Sequence, residues 1–262
     1  EITDLIGSYT TNFASSSAGR AKNVITGVSK VDGTILYPGE EFDLAKTVSP
    51  FTQENGYELA GAYQNGTVVE SFGGGICQVA TTLYNAVIRA ELEITMRFNH
   101  SMLVHYVEPS MDAAIAGNYK DLKFKNNLDA PVYIEGYCSG GIIYFNVYGK
   151  ETRPSNREIS FESETVSKTD PKVQFTMDAS LTAGSVSVTQ SGQSGCIAQL
   201  WKIVKVDGKQ QSRDLFNKSN YQATPKLITI GTKDATSETL SALKAAITIG
   251  DEAKVRSAAA GL

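Results

Sequence analysis

The sequence predicts an α+β fold: a mixed domain, in which a cysteine-bearing helix packs on antiparallel strands, followed by a small all-β domain. Two observations lead to this prediction. Before residue 150, segments with the spacing of amphipathic helices alternate with runs rich in β-branched and aromatic residues. After residue 150 the pattern changes to short strand-like runs separated by turn residues. We therefore expect a mixed domain over residues 1–150, an all-β module over residues 151–233 and a C-terminal helix or tail over residues 234–262.

Two segments of the first domain have the periodicity of helices. Val24, Ile25 and Val28 predict a helix over residues 18–30. A longer apolar stripe predicts a buried helix directly after Cys77. The residues of that stripe are Val79, Leu83, Val87, Ile88 and Leu92.

Strands are expected at the start of the chain, at residues 132–134 and at residues 142–148. A Ser-Gly-Gly turn joins the last two as antiparallel strands. Residues 94–109 alternate enough to predict a further strand pair. In the second half, the all-β module is predicted by the runs KVQFTM, SVSVTQSGQSG, CIAQLWKIVKVDGKQ and PKLITIG. Ser237 is a capping residue for the C-terminal helix.

Length and composition exclude several classes of protein. The 262 residues are 41% hydrophobic and 20% charged, and no apolar run is long enough to span a bilayer. The formal net charge is −4, and neither half of the chain concentrates Lys and Arg as phosphate-binding proteins do. The cysteines show no paired spacing, and there is no HExxH or clustered-carboxylate motif. We therefore expect no nucleic-acid partner, no metal and no cofactor.

Cys77 is the first candidate for chemistry. It follows three glycines, residues 73–75, and comes where a flexible turn meets a helix start. Backbone N–H groups and the helix dipole stabilise a thiolate at such a position, which suits a nucleophile. Cys138 is interpreted as a small apolar residue beside a hairpin, and Cys196 as an incidental loop residue. An odd number of cysteines leaves at least one free thiol.

A cysteine nucleophile needs a base, and the chain has only two histidines, His100 and His105. Either could serve, and both could equally be ordinary surface or strand residues. Asp112 is the nearest downstream acid that could orient an imidazole. It could instead be a turn residue, or pair with Arg97 without touching the base. Arg20 could clamp a substrate carboxylate, although an isolated arginine is more often solvated.

Five motifs in order give a resemblance to a known family. They are PGEEFD, NGYELAGAY, GGGICQVATTLYNAVIRAELEI, RFNHSMLVHYV and MDAAIA with DLKFKNN. Through them residues 5–149 resemble the VanW family of cell-surface proteins. Residues 158–231 are similar, through LTAGSVSVTQSGQSG and PKLITIGTK, to the G-five module of Gram-positive surface proteins. That module has no catalytic residues to transfer to this chain.

The VanW resemblance implies a reaction, because some members are regarded as cysteine-dependent L,D-transpeptidases that cross-link peptidoglycan. On this resemblance Cys77 is the nucleophile, His100 of the His-Ser block is the base and Asp112 of the Asp-Ala block orients it. His105 lies outside the family pattern. The thiolate would attack the third residue of a donor stem peptide and release D-alanine. An acceptor amine would then resolve the thioester into a 3–3 cross-link, and hydrolysis would give a carboxypeptidase side activity.

Further site residues and partners follow from the same resemblance. We expect an oxyanion hole from backbone N–H groups at Cys77 and Gln78 and from the Gln78 amide. The remaining candidates for substrate binding are Gly75, Ser101, Arg20 and Tyr106. The expected partners are peptidoglycan stem peptides, and we expect a monomer in the cell wall or at the outer face of the cytoplasmic membrane, with a tether outside this sequence. The alternative is a non-catalytic peptidoglycan- or cell-surface-binding protein, in which the glycine loop only shapes a groove.

Overall fold

Helices and strands follow one another as a mixed half and then a mainly β half. The computed structural model describes residues 2–64, 67–117 and 119–262, with the backbone alone at 62–64 and 67–68. In chain order the elements are β1 (Asp4–Asn12), α1 (Ala18–Val31), β2 (Thr34–Leu36), β3 (Glu41–Asp43), α2 (Leu44–Val48), β4 (Leu59–Gln64), β5 (Thr67–Phe72), α3 (Ile76–Arg89), β6 (Glu93–Met96), β7 (Lys123–Lys125), β8 (Val132–Ser139), β9 (Ile142–Gly149), β10 (Arg157–Thr169), β11 (Val173–Thr182), β12 (Val186–Gln190), β13 (Gly195–Val206), β14 (Lys209–Tyr221), β15 (Lys226–Lys233), α4 (Ser237–Ile249) and α5 (Glu252–Ala259).

The chain divides into two units that are not continuous in sequence. The first contains Glu1–Val166 and Ile197–Asn220, and the second contains Ser167–Cys196 and Tyr221–Leu262. Strands β13 and β14 therefore contribute residues to both units. The domain boundaries at residues 150 and 233 stay a prediction. None of the described helices is long and apolar enough to cross a membrane.

The first unit is built on an antiparallel sheet in the order β1-β9-β8-β2. Helix α3 packs against β1 and β9, and α1 packs against β8. Both helices begin and end close to the positions predicted from their apolar stripes. The predicted α+β fold, with the cysteine-bearing helix on antiparallel strands and a β-rich second half, is confirmed.

Helix α3 is buried along almost its whole length. Its apolar stripe joins the main core, and its buried polar side chains are hydrogen-bonded. Thr82 lies 2.7 Å from the Thr11 hydroxyl of β1, and Asn85 donates to the carbonyl of Met111. The helix therefore connects the sheet beneath it to the segment that crosses above it.

The segment after β6 differs from the expectation. Residues 94–109 were predicted to form a strand pair, but only β6 forms within them, and residues 97–109 are irregular. The reason is that side chains replace the sheet ladder as hydrogen-bond partners. The His100 N–H donates to the Asp112 carboxylate, and Asn99 donates to the carbonyls of His100 and Asn220.

The first unit also contains parts of the sheet β10-β13-β14. Strands β10 and β13 are held near the end of α3 by Glu91, a residue with a positive φ of 58°. Glu91 accepts two hydrogen bonds from Arg157, at 2.6 and 2.9 Å, and one from Lys202. Burial opposes ionisation of Glu91, but these cations lower its pKa to about 2. The ion pairs thus fix β10 and β13 within this unit.

The second unit consists of the sheet β11-β15-β12 with helices α4 and α5. Strand β11 is parallel to β15, and β12 is antiparallel to it. The core of this unit is formed by Ile228, Ile230, Leu243, Ala246, Val255 and Ala259. The C-terminal segment is helical, and α4 is capped by Thr236, one residue before the predicted cap Ser237, which is the first residue of the helix. Cys196, expected in a loop, is buried at the start of β13, because its side chain packs as an apolar residue.

Gly7 allows the close approach of β1 to α3, which gives a test of the fold. A Cβ at this position would lie 2.5 Å from the Ala86 carbonyl oxygen and 2.5 Å from the Ala90 nitrogen, both of them backbone atoms. Gly7→Ala should therefore lower the free energy of unfolding by about 1–3 kcal/mol, measured by urea denaturation. Ser8→Ala, at the exposed neighbouring position, is the matched control. Equal urea midpoints for the two variants would show that β1 and α3 leave room for a side chain at residue 7.

Candidate active site

Cys77 is the second residue of α3, at the floor of a groove. Gly75 forms the N-cap with a φ of +113°, a conformation that side chains rarely adopt, so a glycine is needed at this turn. As a residue, Cys77 is partly exposed. Its Sγ lies 3.4 Å from the Ile115 carbonyl oxygen and accepts from the Ile115 N–H at 3.5 Å. The helix start and the crossing segment thus hold the sulfur between them.

His100 lies beside this thiol. Its imidazole hydrogen-bonds with Cys77, and the two charges interact. The Nδ1 atom is 2.6 Å from Oδ2 of Asp112, which leaves Nε2 as the nitrogen for the sulfur. The His100 backbone N–H also donates to Oδ2, at 2.7 Å. The ring is therefore fixed at both its side chain and its backbone.

Asp112 combines the two roles that were alternatives from the sequence. Its Oδ2 contacts His100, while its Oδ1 accepts from Arg97 Nη2 at 3.0 Å. Arg97 Nε donates to the Asp112 carbonyl at 2.7 Å as well. The side chains of Arg97 and Asp112 are 7% and 1% exposed. The structure thus joins Cys77, His100 and Asp112 in one chain of hydrogen bonds, and the buried Arg97 holds the carboxylate at its end.

The electrostatics of Cys77, His100 and Asp112 favour an ion pair between the thiol and the imidazole. Burial works against ionisation of Cys77, but the hydrogen bond and charge of His100 outweigh it and lower the pKa of the thiol. Burial likewise opposes protonation of His100, but its bonds to Asp112 and Cys77 raise the pKa of the imidazole to about 9. The pKa of Asp112 is lowered despite its burial, mainly by the bond to His100. The two shifts together favour a thiolate beside an imidazolium.

Two cavities meet at the sulfur, and both are lined by Cys77 and His100. The first, of about 440 Å³, has Lys120 as a lining cation, and we call it the Lys120 cavity. The second, of about 270 Å³, runs along the glycine loop to Arg20, and we call it the Arg20 cavity. A bound molecule could therefore extend from the thiol in two directions, with a positive side chain on each side.

The expected oxyanion donors are only partly available. The Gln78 N–H donates to the Gly75 carbonyl at 2.9 Å. The Gln78 amide is also occupied, because Nε2 donates to Thr11 Oγ1 and to the Asn12 carbonyl, at 3.1 and 2.9 Å. The expected donors of Gln78 therefore hydrogen-bond within the fold, and the oxyanion role of Gln78 stays a prediction. Within the described part of the chain, the Cys77 N–H has no hydrogen-bond partner, which leaves it open toward the groove.

The remaining predicted residues lie around the groove. Ser101 is exposed and lines the Lys120 cavity. Arg20 lines the other cavity, but it also donates to Gln78 Oε1 at 2.8 Å and to Ser16 Oγ at 2.6 Å. Tyr106 lines the Arg20 cavity, and burial followed by the charge of Cys77 raises its pKa well above the usual range. His105 is exposed and lines a third cavity, which shares Arg20 and Tyr106 with the Arg20 cavity but is not lined by Cys77.

Sequence reasoning missed two contributors. Ile115 acts through its backbone, which no side-chain motif reveals. Lys120 enters the groove beside the thiol and donates to the Asn99 carbonyl at 3.1 Å; an isolated lysine has no pattern that would have identified it. Among the described residues, no group of three or more His, Cys, Asp or Glu lies close enough to hold a metal ion.

The fold and the site define a class: a mixed domain that presents a thiol at a glycine-rich helix start, joined to a β-rich second half. Within that class, the chain carries a VanW-like domain followed by a G5 domain. The VanW like protein family model matches residues 19–148, and the G5 domain model matches residues 161–233. Together the two matches indicate a cell-wall-associated protein.

Three known proteins illustrate the similarity. The "Uncharacterized protein YoaR" of Bacillus subtilis is 35% identical over 57% of this chain and 49% of its own length. The "Vancomycin B-type resistance protein VanW" of Enterococcus faecalis is 26% identical over 43% of this chain and 42% of its own length. A solved IgA1 protease G5 domain is 26% identical, with a TM-score of 0.21, over 30% of this chain and 94% of that structure. The chain thus spans less than half the length of the two curated relatives.

The raised pKa of His100 predicts a measurable pH dependence. Because the value of about 9 lies above the ordinary 6.5, the bound proton stabilises the folded chain fully below pH 6.5, and this contribution is lost as the pH rises through 9. An NMR titration of the imidazole should give this pKa, and His105→Gln leaves a single histidine to observe. Asp112→Asn and Cys77→Ala should each lower the value, because each removes a partner that favours the proton. An unchanged titration in both variants would contradict the arrangement.

Proposed function

We propose that the protein is an acyltransferase that forms a thioester on Cys77, and that it acts as a peptidoglycan L,D-transpeptidase making 3–3 cross-links. One observation carries the proposal: a thiol with a lowered pKa, paired with a fixed imidazole, opens to two cavities. A structural cysteine would need neither the histidine nor the access. The VanW-like domain supports the same reading.

In the first half of the reaction, the Cys77 thiolate attacks the carbonyl carbon of the third residue of a donor stem peptide. The carbonyl oxygen becomes an oxyanion within reach of the Cys77 N–H. His100 gives its Nε2 proton to the leaving nitrogen, the peptide bond breaks, and D-alanine departs as an amine. The thioester bond to Sγ remains.

In the second half, the side-chain amine of an acceptor stem peptide attacks the thioester carbonyl. The now neutral His100 takes the proton of the amine, the C–S bond breaks, and the thiolate is restored. Water in place of the amine would give hydrolysis, which is the carboxypeptidase side activity. No redox step or cofactor is needed, because one amide bond replaces another.

The two cavities suit the two substrates of such a transfer. Stem peptides carry carboxylates, and Lys120 and Arg20 provide one cation on each side of the thiol. Ser101 and Tyr106 are polar lining residues on opposite sides that could position the peptide chains. We assign these four residues to substrate binding and Gly75 to the shape of the helix start.

The G5 domain fits a role in binding cell-surface polymers near the site of cross-linking. We therefore place the protein outside the cell, in the wall or at the outer face of the cytoplasmic membrane of a Gram-positive bacterium. A membrane tether would lie outside this sequence, and we expect a monomer.

Acylation of Cys77 is the direct test. Incubation with a tetrapeptide muropeptide or a carbapenem should add one acyl mass to the intact protein, detected by mass spectrometry. Cys77→Ala should abolish both the adduct and cross-linking while the protein still folds, because Cys77 is partly exposed and does not belong to the main hydrophobic core. Cys138→Ala is the matched control and should acylate as the wild type does. If the folded wild type shows wall binding without any adduct, the protein is a non-catalytic wall-binding protein.

Asp112→Asn separates orientation from folding. The amide still offers an oxygen to Arg97, but it no longer carries the charge that favours imidazolium. The acylation rate should fall by about 10²–10⁴-fold, as for other orienting carboxylates. Stopped-flow or quenched mass spectrometry gives the rate, and circular dichroism monitors folding. Wild-type acylation by a folded Asp112→Asn variant would require another orienting group.

A further inference from the structure

The support of the Asp112 carboxylate extends beyond the VanW-like domain. Arg97, which holds Asp112 by two hydrogen bonds, donates from Nη1 to the hydroxyl of Ser219 at 2.9 Å. Ser219 lies on β14, within residues 161–233 matched by the G5 family model. Its own exposure is 2%, so this contact is protected from water. All of these residues belong to the first unit.

Ser219 also contacts the backbone turn that leads into Asp112. The hydroxyls of Ser219 and Ser110 are 2.8 Å apart, and the Ser110 hydroxyl lies 3.2 Å from the Ala198 carbonyl oxygen of β13. Ser110 is fully buried and has a φ of +69°. A non-glycine residue keeps this conformation only where its surroundings enforce it. Strands β13 and β14 therefore hold the turn two residues before the carboxylate.

Two neighbours of Ser219 on β14 reach the same segment. Asn217 Nδ2 donates to the Ser110 carbonyl at 3.2 Å and to the Tyr84 hydroxyl at 2.6 Å. The carbonyl of Asn220 accepts from Asn99, which also donates to the His100 carbonyl. Residues 217–220 thus contact the chain beside the base and beside the acid.

We propose that Ser219 is a positioning residue of the candidate active site, which orients Arg97 and the Ser110 turn so that Asp112 meets His100. A catalytic role for Ser219 rests on the proposed function, whereas its effect on Arg97, Asp112 and His100 does not depend on it. It assigns the G5-matched strand a part in the site, in addition to any binding of wall polymers.

Removal of the hydroxyl should act through Arg97. Without it, a buried guanidinium N–H loses its acceptor, and such a group moves toward another partner or water. The Arg97 guanidinium is then less well positioned beside Asp112, and the carboxylate is held less firmly against the His100 imidazole. The groups that would sense this change are Asp112, His100 and Cys77, because their charges interact.

The test compares three full-length variants. Ser219→Ala removes the hydroxyl, Ser219→Thr keeps it, and Lys218→Ala changes an exposed position on the same strand. The readouts are the His100 pKa by NMR and the rate at which iodoacetamide alkylates Cys77, followed by peptide mass spectrometry. Neither readout needs a stem peptide, so both decide this inference even if the proposed function fails.

Ser219→Ala should lower the His100 pKa by up to about one unit and slow Cys77 alkylation by up to about tenfold at pH values below the pKa of the thiol, where the rate follows the thiolate fraction. The difference should vanish at high pH, where the thiolate forms in every variant. Ser219→Thr and Lys218→Ala should behave as the wild type. If Ser219→Ala does not fold, Ser219→Cys replaces it, with similar volume and a weak acceptor. Wild-type values in the folded variant lacking the hydroxyl, or equal losses in Ser219→Thr, would overturn the inference.

Discussion

A carboxylate that is 1% exposed, as Asp112 is, can exist only where the fold supplies charged or N–H partners, because an unpaired buried charge is costly. Arg97 supplies one partner, and the ring and backbone N–H of His100 supply the others. The same bonds that stabilise the buried acid therefore bring the imidazole to Cys77. The folding of this segment and the chemistry of the site depend on one set of hydrogen bonds.

Helix α3 connects that set to the rest of the first unit. Its buried polar residues bond outward on two sides: Gln78 donates to the Asn12 carbonyl of β1, while Thr81 contacts both the N–H and the carbonyl of Ala113. Apolar packing resists displacement of a helix, and hydrogen bonds add a fixed direction to it. These directional bonds fix the helix start relative to the sheet and to the segment that carries the acid, so the sulfur is placed by both.

Elements with a regular apolar pattern could be predicted from the sequence. Contacts made by backbone atoms, or by residues far apart in the chain, could not. The helix after Cys77 could be predicted because its apolar stripe is long, and the resemblance placed the histidine and the acid beside the thiol. The prediction of a strand pair over residues 94–109 was wrong, because side chains hydrogen-bond with the backbone of this segment in place of a neighbouring strand. Ile115 and Ser219 could not be found, because one acts through its N–H and carbonyl and the other is an isolated serine on a strand far along the chain.

The directions of the two pKa shifts favour one order of proton transfers in the proposed reaction. The raised pKa of His100, about 9, and the lowered pKa of Cys77 both favour the proton on the imidazole before substrate arrives. His100 therefore acts first as the acid that protonates the leaving amine, and only afterwards as the base for the acceptor. A neutral thiol would instead need deprotonation during the attack. The buried Asp112 thus contributes before the reaction begins, by keeping that proton on His100.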